Sequence, residues 1–324
     1  GYRWVVLAVF MLVIIVNQMM WITFASITSI AAGFYKVSDL SIGLLSMSFM
    51  IVYIFAAFPA SWIIDTYGFR VGVGIGAALT GIFGLTRGWM ASSYTLVLVS
   101  QIGIAVGQPF ILNAITQLAA RWFPIEERAM AAGLGSLAMY VGIIAGLILT
   151  PYLVMGLGMA GMLIAFGIVG AAAAVLFAVF ARERPPTPAC PPGEEARSLM
   201  FDGLKQMMLN KNFILLMVVF FIGLGVFNSI TTWIEDILGP RGFSSAQAGI
   251  AGGLMVVGGV VGAVVLPVLS DRRRQRVPFL KLAVLGAIVG LAGVTFATGY
   301  GLLLAASFLT GFFLLSAGPI GFQY

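Results

Sequence analysis

The chain has 324 residues, of which 61% are hydrophobic and only 9% are charged. A water-soluble globular domain is excluded by this composition. Its 17 Lys and Arg outnumber its 11 Asp and Glu, and it has no histidine. Between the charged residues lie about ten apolar segments, each long enough to cross roughly 30 Å of hydrocarbon. We therefore predict an all-α polytopic membrane protein.

The predicted spans follow one another along the whole chain. The first begins just after Arg3, runs well past 20 residues without a small-residue cleavage site, and is predicted to be a retained helix rather than a signal peptide. In chain order the spans lie near 4–30, 41–64, 71–91, 94–120, 129–155, 158–181, 212–236, 246–269, 278–297 and 301–323.

The basic residues divide unequally between the two sides of the membrane. With a cytoplasmic N-terminus, fourteen of the seventeen fall on the inside, and the outside receives only Lys36, Arg87 and Arg241. Lys and Arg are retained on the cytoplasmic side, so this split predicts the topology. It also accounts for the pI of 9.7 without a nucleic-acid partner. A multi-pass protein of the plasma (cell inner) membrane is expected.

A polar stretch separates six spans from four. Residues 182–205 hold five prolines and a cluster of charges, which is typical of a linker. We predict an N-terminal six-helix bundle at 1–182, a cytoplasmic linker at 183–210 and a C-terminal bundle at 211–324.

The two halves repeat each other at an offset of 206 residues. Gly43 precedes Asp65 by 22 residues, and Gly249 precedes Asp271 by the same interval. Each aspartate is followed by arginine at the predicted cytoplasmic end of the second span of its half. Parallel repeats of this kind mark the two halves of major facilitator transporters.

The loop after span two resembles the facilitator pattern G-x-x-x-D-x-x-G-[RK]-[RK], with Ser61, Asp65, Gly68 and Arg70 in register and Ser61 in place of glycine. Asp65 is expected to accept hydrogen bonds from loops or a helix N-terminus when the inner side is closed. These charges either gate the inner side or only set topology. The candidate gating residues are Asp65, Arg70, Asp271, Arg272, Arg121 and Arg128. The major facilitator fold has twelve helices, so four of an expected six are present in the second half, which we expect to be truncated.

No Asp, Glu or Lys lies near the middle of a predicted span, which disfavours proton coupling. Arg87 lies about one turn from the outer end of its span. It is expected either to extend its head group to the interface as an anchor or to attract an anion.

Neutral polar and aromatic residues do occur at mid-depth, and a buried amide needs partners or water. Trp21 lies too deep in span one for the interfacial aromatic belt, so its ring is expected either to bind a cation or to pack in the core. The candidate substrate-binding residues are Trp21, Gln108, Asn228, Gln18, Asn17, Tyr140, Asn113 and Phe227.

Short segments of the chain resemble the feline leukaemia virus subgroup C receptor-related family of haem and choline transporters. They include NQMMWI (17–22), PASW (59–62), Q-x-FIL (108–112) and NF-x-LL (212–216). The resemblance implies that Trp21 and Gln108 contact a quaternary ammonium. The family's span-seven aromatic residue is replaced by Asn228, and its span-five Asn-Gln pair falls on Met139 and Tyr140.

The predicted function is transport of a small organic solute, preferably an amine or choline-like quaternary ammonium, by alternating access without proton coupling. One alternative is a proton- or ion-coupled carrier of organic anions or drug-like compounds, and another is a transporter-fold receptor without flux. An enzyme is not expected, because histidine, intramembrane thiols and mid-membrane carboxylate pairs are lacking. We expect no cofactor and no metal. The expected partners are a small-molecule substrate and the lipid bilayer, and the chain is expected to be a monomer.

Overall fold

The structure, a computed structural model, describes residues 1–185, 211–273 and 277–322. The chain divides into two compact units, Gly1–Ala196 and Arg197–Tyr324. Most of the predicted linker at 183–210 lies outside the described residues. Each unit is helical, which satisfies the backbone polar groups within each segment, as a bilayer requires.

In residues 1–185, the described part of the first unit, there are seven helices. They are α1 (Arg3–Ile22), α2 (Thr28–Tyr35), α3 (Asp39–Tyr67), α4 (Phe69–Trp89), α5 (Tyr94–Leu112), α6 (Ile115–Trp122) and α7 (Ile125–Phe180). Helix α7 is 56 residues long and is interrupted at Gly158, where φ is 72°. The arms before and after Gly158 correspond to two predicted spans.

The described part of the second unit starts at Lys211 with a broken span. Its helices are α8 (Lys211–Thr232), α9 (Ile234–Leu238), the 3-10 turn Gly239–Arg241, α10 (Ser245–Arg273), α11 (Val277–Phe296) and α12 (Tyr300–Phe322). The chain bends by 73° between Thr232 and Ile234. Within the described residues, eight helices are long and apolar enough to cross a membrane, or nine if the bent pair is one span. The long helix α7 is counted once in the total of nine. When its two arms are counted separately, the number of spans is ten, as predicted.

The first predicted span is shorter as a helix than the sequence indicated. Instead of continuing to residue 30, α1 ends at Ile22 and turns lead into α2. The hydroxyl of Thr23 donates to the carbonyls of Met19 and Met20, at 2.9 and 3.1 Å. Side chains from α4 and α5 also donate to Met20 O, so distant residues cap the end of α1.

Glycines allow the long helices of the first unit to approach closely. A Cβ on Gly142 would collide with the carbonyl oxygen of Ile15, and one on Gly146 would lie 2.9 Å from that of Met19. Both carbonyls belong to α1. The second arm of α7 approaches α4 in the same way, because a Cβ on Gly167 would lie 2.6 Å from Gly84 O. Gly142 and Gly146 stand four residues apart, the spacing at which small residues let helix backbones approach closely.

The second unit uses the same device. A Cβ on Gly258 or Gly262 of α10 would collide with the carbonyl oxygens of Phe308 and Phe312 in α12. Packing rather than hydrophobicity drives helix association in lipid, so these contacts hold α10 against α12.

Glu183 caps the N-terminus of α4. Its carboxylate accepts hydrogen bonds from the backbone N–H groups of Phe69 and Arg70, at 3.0 and 2.7 Å, and pairs with Arg121. The N-cap residue itself is Gly68, which has no side chain to serve as a cap and has φ of 98°. A Cβ on Gly68 would collide with Glu183 Oε1. A negative charge is favourable here because the first backbone N–H groups of a helix lack partners and the positive end of the helix dipole lies at the N-terminus.

We predict that Gly142→Ala destabilises the protein by about 1–3 kcal/mol, because the new methyl group overpacks the α1–α7 contact. Thermal unfolding of the purified full chain in detergent would measure the loss. The matched control is Gly133→Ala on the same helix, where a Cβ would meet nothing within 4 Å and alanine is the better helix former. Equal melting temperatures for the two variants would contradict this packing role.

We also predict that Glu183→Gln lowers stability by about 1–2 kcal/mol, since hydrogen bonds to a charged group are stronger than neutral ones. The side chain is 33% exposed, which places the effect toward the lower end. The control is Glu126→Gln, an exposed carboxylate in the first turn of α7. Helix capping by Glu183 is wrong if the two variants unfold at the same temperature.

Candidate functional site

Trp21 lies at the end of α1 and is only 6% exposed. Its indole N–H donates to Ser46 O of α3 at 3.1 Å, and the Ser46 hydroxyl donates back to Trp21 O at 3.3 Å. This reciprocal pair fixes the orientation of the indole. In the part of the chain that the structure describes, the ring of Trp21 makes no pairing with another aromatic ring or a cation.

Gln108 of α5 is 7% exposed, and its side-chain amide makes no hydrogen bond within the described residues. A buried amide without partners is costly unless a ligand or water satisfies it. The next residue, Pro109, lies inside α5. No hydrogen bond in the described residues joins Gln108 to Trp21.

Asn17 and Gln18 are fully engaged in helix packing. Asn17 Nδ2 donates to Thr80 Oγ1 of α4 at 3.0 Å, and Gln18 Nε2 donates to Asn17 Oδ1 at 3.4 Å. Asn17 is 0% and Gln18 2% exposed. The Asn17 amide therefore joins α1 to α4, and the Gln18 amide supports it from within α1.

Asn113 ends α5 and is held by α3. Its Oδ1 accepts from Tyr53 Oη at 2.6 Å, and its Nδ2 donates to Ser61 Oγ at 3.0 Å and to Ala57 O at 3.4 Å. Ser61, which stands where the facilitator pattern has glycine, thus anchors the α5–α6 break to α3.

The other predicted binding residues show mixed exposure. Tyr140 on the first arm of α7 is half-buried. In the second unit, Phe227 is 4% exposed, whereas Asn228 beside it is half-buried. The side-chain amide of Asn228 makes no hydrogen bond within the described residues.

Arg87 does not extend its head group to the interface, so the expectation of a surface anchor is wrong. It is 0% exposed. Its Nη1 donates to Gln101 Oε1 at 2.9 Å, Met20 O at 3.1 Å and Thr23 Oγ1 at 3.4 Å. The guanidinium carbon lies 5.8 Å from the ring centroid of Phe24. The end of α1 attracts this cation inward, because the C-terminal carbonyls of a helix are partially negative.

The charges around α4 are arranged differently from the motif-based expectation. Asp65 is exposed and accepts no hydrogen bond from the described residues, and Glu183 makes the helix-terminal contacts expected of it. Arg70 is exposed, and its Nη2 donates to Ala178 O at 3.3 Å. Arg121 pairs with Glu183.

The remaining predicted gating residues have fewer described contacts. Arg128 Nε donates to Phe123 O at 3.3 Å, near the end of α6. Arg272 is exposed in the last turn of α10. Asp271 lies within α10, and its side chain is outside the described residues.

Three polar residues of interest were not among the predicted site residues. Gln101 is 0% exposed and donates to Met20 O at 3.1 Å while accepting from Arg87. Glu235 is 4% exposed at the break between α8 and α9, and the Ser245 hydroxyl donates to it at 3.4 Å. Glu183 is the third. Gln101 lies seven residues before Gln108 in the same apolar segment, so both lie on the same face of a helix. This spacing is the sequence signal that could have identified Gln101.

Comparison with known proteins agrees with this architecture. Residues 9–324 match the family model for the Major Facilitator Superfamily. The chain is 31% identical over 293 residues to solute carrier family 49 member A3 of Danio rerio, covering 86% of this chain and 61% of that protein. It thus spans less than two thirds of that relative's length. It is 27% identical over 344 residues to the choline/ethanolamine transporter FLVCR2 of Homo sapiens, covering 99% of this chain and 65% of that protein.

A solved structure has the same fold. The bacterial homologue of the human lysosomal transporter Spinster, in an inward-facing and unoccupied conformation, matches with a TM-score of 0.79 and 17% identity, over 99% of this chain and 75% of that one. The predicted all-α facilitator fold and the resemblance to receptor-related transporters are confirmed. The chain is a multi-pass membrane protein and belongs to the Major Facilitator Superfamily.

Proposed function

We propose that this protein carries a small organic cation of the choline or ethanolamine type by alternating access, without coupling to protons. The observation that carries the proposal is the unpartnered amide of Gln108, 7% exposed, in a chain related to choline/ethanolamine transporters. We also propose a plasma-membrane location with the N-terminus in the cytoplasm, from the distribution of basic residues.

Trp21 supplies the second part of the argument. Its N–H is committed to Ser46 O, so a ligand would meet the ring face rather than the polar edge. An aromatic face in a desolvated site attracts a cation by about 2 kcal/mol or more. A quaternary ammonium offers no N–H to donate, and the hydroxyl of a choline-like solute is the group that an amide such as Gln108 would bind.

The driving force follows from the charge of the substrate. Inward movement of one positive charge gains about 2.3 kcal/mol per 100 mV of membrane potential. This corresponds to an accumulation of about fifty-fold, since each 1.4 kcal/mol is a factor of ten. Uptake therefore needs no second ion. Asp65, Arg70, Arg121, Arg128, Asp271 and Arg272 are proposed to contribute to the inner gate.

In proteoliposomes with an imposed potassium diffusion potential, choline uptake should rise with an inside-negative potential. Trp21→Ala should reduce uptake at least tenfold, because it removes the aromatic face. Trp62→Ala, at a tryptophan that is 61% exposed, is the matched control and should transport normally. Uptake that ignores the potential, or that survives Trp21→Ala, would show the proposal to be wrong.

A proton-coupled carrier is the second candidate, and the burial of Glu235 favours it. An ionisable residue buried within a transporter's helices is often part of a coupling pathway. For the uncoupled mechanism we expect Glu235→Gln to leave potential-driven uptake unchanged and an imposed pH gradient to drive none. Loss of pH-driven uptake in Glu235→Gln, but not in the exposed Glu126→Gln, would establish the coupled mechanism instead.

A further inference from the structure

The guanidinium of Arg87 is only partly satisfied by the protein. Nη1 has three acceptors, but Nε and Nη2 are buried and have no hydrogen-bond partner among the described residues. No ion pair of the described residues includes Arg87. The described carboxylates of the first unit are Asp39, Asp65 and Glu126, which are exposed, and Glu127 and Glu183, which pair with Arg3 and Arg121. A fully buried cation without a counter-charge is strongly unfavourable.

A second orphaned donor belongs to the same neighbourhood. The hydroxyl of Tyr35 is buried and has no partner, although the ring packs against Tyr94 with centroids 6.1 Å apart. Burial raises the pKa of Tyr35 to about 12, and the positive charge of Arg87 opposes that rise. At neutral pH the phenol is protonated and able to donate.

What these groups lack is a partner that accepts their hydrogen bonds. The unpaired Arg87 atoms are N–H donors only, and the Tyr35 hydroxyl is a donor as well as an acceptor. Ser26, two residues after the Phe24 ring that lies under Arg87, has a third buried hydroxyl without a partner. Unpartnered donors and a cation without a counter-charge match the chemistry of an anion.

We propose that Arg87 and Tyr35 bind a small monovalent anion, of the halide or small-carboxylate class, at the end of α1. Arg87 is 0% exposed, so the side chains around it must move to admit a ligand, and this requirement favours a small ion over the charged end of a larger solute. The ion would supply the missing acceptor for Nε and Nη2 and neutralise the guanidinium.

The site bears on transport of a cation. Arg87 donates to Met20 O, and Met20 adjoins Trp21 in α1. An unneutralised arginine there would repel a quaternary ammonium at Trp21, whereas a bound anion would remove that repulsion. This last step depends on the proposed function, but the anion site itself does not.

Thermal unfolding of the purified full chain tests the site without any transport measurement. The protein is titrated with chloride or acetate against gluconate at constant ionic strength. A ligand that binds only the folded state raises the melting temperature in a saturable way. We expect the melting temperature of the wild type to rise in this way with chloride or acetate. Tyr35→Phe should need a several-fold higher anion concentration for half of the rise, and Arg87→Gln should show no rise.

The control is Arg241→Gln. Arg241 also donates to helix-end carbonyls, those of Val294 and Ala297, but it is half-buried and accessible to water. Its removal should leave the chloride response intact. A chloride response alone identifies a halide ligand, and an acetate response alone identifies a carboxylate.

The proposal is overturned if neither anion differs from gluconate in wild type, which would mean that water satisfies the donors. It is equally overturned if Arg87→Gln responds like wild type. Should Arg87→Gln not fold, identical half-saturation for wild type and Tyr35→Phe overturns it. Failure of choline transport in a protein that shows the anion response would count against the proposed function only.

Discussion

A helix end surrounded by apolar groups needs hydrogen-bond partners, and this protein supplies them from distant parts of the chain. The last carbonyls of α1 receive donors from Arg87 and Gln101, which lie 67 and 81 residues away from Met20. The first N–H groups of α4 donate to Glu183, more than one hundred residues further on. Water is absent from the bilayer core, so side chains must do what water does at the ends of helices in soluble proteins.

This constraint explains where the few polar residues of the first unit are used. Asn17, Gln101 and Asn113 each join one helix to another or close a helix end, and Gln18 donates to Asn17 within α1. Gln108 is the exception, because it is buried to a similar degree and has no partner. Amides that are already satisfied have little to offer a ligand, so the contrast singles out Gln108 within the same helices.

Much of the fold followed from the sequence because its causes are local or periodic. Apolar length predicted the spans. The early end of α1 was missed, since the donors that cap it come from other helices and leave no local signal. Glu183 was missed for a related reason: it lies in a charged stretch that reads as a linker, and only tertiary structure brings it to α4.

The site was less predictable than the fold. Asn17 and Gln108 were both selected because they are amides at mid-depth in a span. The Asn17 amide bonds to Thr80 on another helix, whereas the Gln108 amide has no hydrogen bond among the described residues. Arg87 was placed correctly near the end of its span, but the direction of its side chain depends on the carbonyl of Met20, which the sequence does not reveal. The sequence pattern predicts how deep a residue lies in the membrane more readily than it predicts the direction of the side chain.

The interruption of α7 at Gly158 has a mechanical consequence. The first arm is seated on α1 through Gly142 and Gly146, and the second is seated on α4 through Gly167. A single residue of positive φ joins them, too short a connection to absorb sliding between the arms. A displacement of α1 along its axis is therefore transmitted through α7 to α4, so these helices shift together.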